Sequence, residues 1–424
     1  MIPTKGSVMV SKKIQSWITW SVPMFFCGVQ FALRLFPGNI QYELMEHFRV
    51  DAASFGVFAA SYYIGYAGMQ IPIAMLMERF GVRLILFISV LICSLGCFLM
   101  AITSTWPIAV LSRFLIGIGS VSGFLGTTKV IVDHFDSKYH ATMIGFSMSF
   151  GLLGTLFGGK PIISMVHTYS WQKVSCAFGL MNGVIALLAW GVMKNKKKSS
   201  NKSENEYFSL SVVLSILKNK TFLTIAIANF LMEGCLGGFA DVWGQQYLRL
   251  AFDIDKSQAS WLASSIFLGM LFGPPLLSLL AQKTHAHFKI TGFCGLLMAG
   301  IFSTLLLGHD KIHAMWFVQI IMLILGALSG YQVLVFVIGE SLFPKNLSNI
   351  SIATLNCINM FGGTFFHSSI GLLIHALWNG HVGENGQPIY SLSNYKGALL
   401  VIPITAIIGG LMLVGKKLKR LEKY

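Results

Sequence analysis

The chain has little charge for its size. Of 424 residues, 31 are Lys or Arg and 16 are Asp or Glu, so only 11% are charged while 54% are hydrophobic. A soluble domain carries about 25% charged residues. Too few ionisable side chains are present to clothe a water-facing surface, which excludes an ordinary soluble enzyme. Metal and redox frameworks are absent too. The seven cysteines (Cys27, Cys93, Cys97, Cys176, Cys235, Cys294 and Cys357) form no CxxC pair and all fall inside apolar runs, where cysteine acts as a small buried hydrophobe. His285 and His287 form only an HxH in a polar loop. No HExxH occurs, and no Gly-rich loop ending in Gly-Lys-Ser/Thr, so neither a zinc hydrolase nor direct ATP hydrolysis is expected. No segment is long enough for a soluble output domain, which argues against a sensor. The sequence implies no cofactor and no metal.

What the chain does have is long apolar runs. Crossing a bilayer takes about 20 residues of helix, and twelve runs qualify, at 15–37, 52–77, 84–103, 106–130, 141–166, 174–193, 221–247, 259–281, 289–308, 314–340, 350–377 and 397–415. They continue without the strict alternation of barrel strands. The expected fold class is therefore an all-α polytopic membrane protein. One connector differs from the others: residues 194–220, opening Lys-Asn-Lys-Lys-Lys, are basic and polar. They divide the chain into two six-helix bundles, 1–193 and 221–424. The net charge of +15 does not indicate nucleic acid, because it gathers in clusters such as Lys12–Lys13, Lys194–Lys202 and Lys416–Lys423, all at one end of the helices. The opposite end holds Arg49, Lys173, Arg249, Lys256, Lys311 and Lys396. By the positive-inside rule both termini are cytoplasmic.

Residues 74–83 read Ala-Met-Leu-Met-Glu-Arg-Phe-Gly-Val-Arg. This resembles the loop of the major facilitator superfamily, Gly-x-Leu-x-Asp-Arg-x-Gly-x-Arg/Lys, with Ala74 and Glu78 replacing Gly and Asp. A faded copy, ending Ala281-Gln282-Lys283, stands between helices eight and nine. Arg113 with Gly117 and Gly119 resembles the superfamily's fourth helix. Gly151, Gly154, Gly158, Gly159 and Pro161 resemble its antiporter signature, interrupted by Lys160. Met24-Phe25-Phe26, Tyr62-Tyr63, Met69 to Pro72 and Asp241-Val242-Trp243-Gly244 look like a branch with organic-anion and siderophore importers and lysosomal dipeptide transporter-like proteins. The resemblance implies twelve helices, alternating access and a cytoplasmic gate at Glu78, Arg79, Gly81 and Arg83.

Charges inside membrane runs are costly and mark function by default. The cations are Arg34, Arg113, Lys129 and Lys160, and the acids are Glu233 and Asp241. A surplus of cations favours an anionic substrate. The expected binding set is Arg34, Gln30, Tyr62, Tyr66, Arg113, Lys129, Trp243 and Gln332. Snorkelling or backbone hydrogen bonding competes for each cation. Glu233, near mid-membrane, is the first candidate to carry a coupling proton, followed by Asp241 and His367. Its competing reading is an ion pair with a first-half cation. Together these residues suggest a monomeric secondary transporter of a bacterial inner membrane, importing a carboxylate, siderophore or short peptide with protons. The alternative is an efflux antiporter.

Overall fold

The computed structural model describes residues 5–193, 210–312, 314–383 and 386–415. Within these residues the regular structure is helical, with one isolated bridge between Val382 and Pro388. We number the long helices α1 (Lys5–Asn39), α2 (Ala52–Phe80), α3 (Val82–Ile102), α4 (Trp106–His134), α5 (Ser137–Gly158 and Lys160–Tyr169), α6 (Trp171–Val192), α7 (Lys220–Met232, Gly234–Trp243 and Gly244–Phe252), α8 (Lys256–Thr284), α9 (His287–Leu307), α10 (Met315–Ser329 and Tyr331–Ser341), α11 (Lys345–Ala376) and α12 (Leu392–Leu399 and Val401–Val414). All but α2 have a continuous apolar stretch long enough to cross a membrane. α2 is 29 residues long but is broken by Ser61, Tyr62, Tyr63, Tyr66 and Gln70, and those side chains are buried against protein.

Local chemistry sets the helix limits. Asp51 caps α2 by accepting from Ser54 N at 2.7 Å, Asn219 caps α7 through Thr221 N and Phe222 N, and Asp255 caps α8 through Gln258 N. Gly81 turns the chain between α2 and α3 at φ 87°, a region glycine enters without strain.

Four runs expected to be unbroken are interrupted. α5 breaks at Gly159, ahead of Pro161, whose ring nitrogen has no N–H to continue the bonding to the carbonyl four residues earlier and which is tolerated only in the first turn of a new helix. α10 breaks at Gly330, whose backbone lies against Gly273 and Pro274 of α8. α12 begins at Leu392, earlier than expected, and is divided at Leu400. In α7, residues Gly234–Trp243 form a π-helix. Within the expected connector, Leu210–Leu217 is a short helix, while residues 194–209 lie outside the described residues, as does the basic cluster at 416–423.

α1 to α6 pack together, as do α7 to α12, and the halves meet where α2 lies on α11, α5 on α8 and α1 on α7. Glycine permits the closest approach: a Cβ on Gly56 would lie 2.6 Å from His367 O, and one on Gly371 would lie 2.5 Å from Ala52 O. The end remote from the termini, called here the far end, is sealed by polar contacts between halves. Ser260 Oγ donates to Asn39 Oδ1 at 3.0 Å, Gln41 Nε2 to Tyr395 OH at 3.2 Å and Ala52 N to Tyr390 OH at 3.1 Å. Lys256 pairs with Glu43, and His375 lies 3.6 Å from Asp51. Burial, with Asp51 nearby, pushes the Tyr390 phenol above its usual range, so it remains a neutral partner for Ala52 N–H.

Candidate functional site

The charged centre lies where α1, α2, α7 and α11 converge. Arg34 of α1 donates through Nε to Asp241 Oδ2 of α7 at 2.7 Å. Tyr63 of α2 donates its hydroxyl to the same oxygen, and the Arg34 guanidinium lies 5.2 Å from the Tyr63 ring centroid. The Asp241 side chain is fully buried, whereas Arg34 keeps 12% of its side chain exposed. The pair therefore joins the two halves through one nearly sealed ionic contact. His367 of α11 meets the Tyr63 ring edge-on at 5.1 Å, and Trp243 Nε1 donates to His367 O at 3.3 Å.

Arg113 lies beside this centre. Its Nη1 donates to Leu33 O at 2.7 Å, its Nη2 to Arg34 O at 2.8 Å, and it stacks 4.5 Å from the Tyr62 ring centroid. The cause can be read in α1. Pro37 has no N–H, so the carbonyl four residues earlier, Leu33 O, loses its helical donor. Arg113 supplies that donor and fixes the backbone that carries Arg34.

Glu233, where α7 passes from α- to π-helix, belongs to a second cluster. Gln332 of α10 donates Nε2 to Glu233 Oε2, and Asn359 of α11 also hydrogen-bonds the carboxyl. Glu233 is 2% exposed. These partners come from its own half; the cross-half ion pair considered for Glu233 is made by Asp241. Gly237 and Gly362 leave room for this cluster, since a Cβ on Gly362 would lie 3.2 Å from that of Glu233, whereas Gly363 makes room for the Tyr63 ring, 2.5 Å from where its Cβ would stand.

The remaining expected residues separate. Tyr62 and Tyr66 stack with centroids 6.0 Å apart, and Gln30 points at Cys27 Sγ from a buried position. Lys129 is drawn away from the centre: its Nζ is 2.8 Å from Glu78 Oε1 and 3.3 Å from Asp133 Oδ1. It therefore joins the α2–α3 loop cluster, and Glu78 is tied to α4 within the first half. Arg83 stacks on Trp190 at 4.6 Å and Arg79 on Phe80 at 5.2 Å. Lys160 is exposed at the α5 break. The initial cation surplus shrinks accordingly, leaving Arg34 as the cation paired at the centre. The expected binding set left out Tyr63 and Asn359. Their signal was polarity within an apolar run, which cannot say which face meets the other half. Among the described residues no cluster of three or more His, Cys, Asp or Glu is placed to hold a metal.

The family model described as Major Facilitator Superfamily matches residues 24–367. An Escherichia coli (strain K12) protein described as "Probable galactarate/D-glucarate transporter" is 22% identical over 416 residues, covering 90% of this chain and 89% of that one. The hexuronate transporter of Bacillus subtilis (strain 168) is 26% identical over 213 residues, 48% of this chain and 50% of that one. The fold is similar to a solved bacterial homolog to human lysosomal transporter Spinster in an inward-facing and unoccupied conformation. The TM-score is 0.70 at 16% identity, over 94% of this chain and 95% of that chain.

Proposed function

Because the chain belongs to the major facilitator superfamily, and is thus a multi-pass membrane transporter and not an enzyme, we propose that it moves a small organic anion by alternating access, with protons as the coupling ion. The observation that carries this reading is the Arg34–Asp241 pair, which joins the halves at the far end of the pathway. Arg34 commits Nε to Asp241, and its terminal nitrogens form the fork that a substrate carboxylate would take. A carboxylate bound there competes with Asp241 for the guanidinium, so occupancy and the far-end closure are linked. Arg113 serves this site by holding the α1 backbone.

Proton coupling needs an acid whose charge differs between states. An isolated ionised carboxylate deep in a membrane costs about 2.5–3.5 kcal/mol on insertion scales, so protonation accompanies any state in which its partner leaves. Asp241 meets that condition when Arg34 turns to substrate. Glu233, held by two neutral amides, is the second carrier, and His367 lies within reach of the same centre. The relatives described for galactarate/D-glucarate and hexuronate support an acid sugar as the anion; a carboxylate siderophore or short peptide shares the required charge. The efflux alternative draws on the glycines of α5. Packing accounts for two of these, since a Cβ on Gly154 would lie 2.1 Å from Gly28 O and one on Gly158 would lie 2.9 Å from Ala32 Cα. The charge asymmetry supports cytoplasmic termini, the bacterial relatives support a bacterial plasma membrane, and the proposed unit is a monomer.

The test is uptake by proteoliposomes of galactarate, hexuronates, short peptides and siderophores, with and without an imposed pH gradient. One acidic compound should accumulate under the gradient and fail to do so in Arg34→Ala. Accumulation indifferent to pH sinks the proton coupling, and full uptake in Arg34→Ala sinks the anion site.

A further inference from the structure

The charged centre can neutralise one added anion. Arg34 is the cation paired there. Arg113 commits both terminal nitrogens to the carbonyls of Leu33 and Arg34, Lys129 is held by Glu78 and Asp133, and Lys160 is exposed at the α5 break. Among the described residues, the cation that acts on Glu233 is again Arg34.

Glu233 stands next to this centre. A Cβ on Gly363 would lie 2.5 Å from the Tyr63 ring, and one on Gly237 would lie 3.1 Å from Gly363 Cα and 3.4 Å from Glu233 Oε1. A seam of two glycines thus joins the Tyr63 ring to the Glu233 carboxyl, and that carboxyl acts electrostatically on both Tyr63 and Arg34. Amides surround it. Gln332 and Asn359 hydrogen-bond to it. Asn359 Oδ1 is buried without a donor, and Asn229, one turn earlier on α7, is buried with neither its nitrogen nor its oxygen partnered. A free amide oxygen accepts from a hydroxyl, but it has nothing to gain from a carboxylate, which offers no proton. Glu233 sharpens the difference. Ionised, it repels a second anion; neutral, it supplies no counter-charge. A second carboxylate placed here would be a buried charge without a partner, the costliest group to take out of water.

We propose that the site takes an anion with a single carboxylate and an uncharged, hydroxyl-bearing opposite end, and that Glu233 with Gln332 and Asn359 is the element that rejects a second carboxylate. The carboxylate goes to Arg34, and the uncharged end lies toward α7, α10 and α11. A sugar acid with one carboxylate then falls inside the selectivity of this chain, and a dicarboxylate such as galactarate falls outside it, although one relative is described for galactarate. This inference rests on the reading of Arg34 as the carboxylate anchor.

The test is equilibrium binding to the purified full chain in mixed micelles, with matched acids that differ at one end: galactonate against galactarate, gluconate against glucarate, and alanylglutamine against alanylglutamate. Each pair compares an uncharged end with a carboxylate at nearly equal size. In every pair that binds, the single acid should bind at least about tenfold more tightly, because like charges brought together cost more than one decade of affinity. Glu233→Gln combined with Gln332→Arg replaces the acid by a cation and should reverse the preference. Asn359→Lys supplies a cation from α11 instead, and should narrow the gap severalfold if the double variant fails to insert. A double acid that binds the parent chain as tightly as its matched partner overturns the inference while leaving Arg34 as the anchor. A preference unchanged in the folded variants overturns the assignment to Glu233 and its amides. Binding equally tight in Arg34→Ala, or no binding by any acid of the panel, refutes the anion site itself and the inference with it.

Discussion

The role given to Arg113 can be tested by restoring the donor that Pro37 withholds. Arg113 is 2% exposed and gives two charged hydrogen bonds to carbonyls of α1, at Leu33 and Arg34. Arg113→Leu keeps an apolar body and removes both donors. Leu33 O is left without a donor while Arg34 O keeps the helical N–H of Gly38, and one acceptor left unsatisfied in a buried site costs about 1–3 kcal/mol, so the variant should lose roughly 1–3 kcal/mol, less any relaxation of α1. Pro37→Ala supplies an N–H in register with Leu33 O. In the parent this second donor gains little, because Arg113 already serves the carbonyl. In Arg113→Leu it should recover about 1 kcal/mol, the net worth of one ordinary hydrogen bond. The double-mutant cycle, read from reversible unfolding of the purified chain in mixed micelles, should therefore show a coupling energy of about 1 kcal/mol with the rescuing sign. Additive single effects would refute the argument. A substrate-binding role for Arg113 predicts something else: reduced affinity in Arg113→Leu with no recovery on adding Pro37→Ala.

Three more outcomes follow from the same geometry. Glu233→Gln keeps both amide partners in reach yet cannot release a proton, so it should lose pH-driven accumulation and retain substrate exchange; counterflow beside gradient-driven uptake separates the two, and unchanged accumulation removes Glu233 as a carrier. Gly38→Ala puts a Cβ 2.5 Å from Asp241 O, which α7 meets only by withdrawing, so cross-linking between far-end positions 43 and 256 should fall severalfold; undiminished cross-linking counts against a far end sealed by this contact. Lys129→Gln breaks half-exposed pairs with Glu78 and Asp133, worth about 0–1 kcal/mol each, so it should change thermal stability little while altering transport rate if the α2–α3 loop gates the pathway; a stability loss above about 3 kcal/mol would mean the cluster is a core contact and the screening argument is wrong.

The sequence by itself determined the class of molecule and its plan. Hydrophobic length is a local property, so the long apolar runs could be counted without coordinates, and the 74–83 loop identified the superfamily. Pro37 even announced an orphaned carbonyl, although nothing in the order of residues names Arg113 as its partner. Only the tertiary structure decided who pairs with whom. Arg34 and Asp241 stand 207 residues apart, and Asp241 and Glu233 offer the same carboxyl to a sequence reader. The π-helical path of α7 turns the first toward α1 and α2 and leaves the second among Gln332 and Asn359. Lys129 shows the converse: counted as a pathway cation from its depth in a run, it is claimed by Glu78 and Asp133 once α2 and α4 are side by side. Charge in a membrane segment is legible as a cost. Where that cost is met depends on helix rotation and neighbours, and these are fixed by packing between segments far apart in the chain.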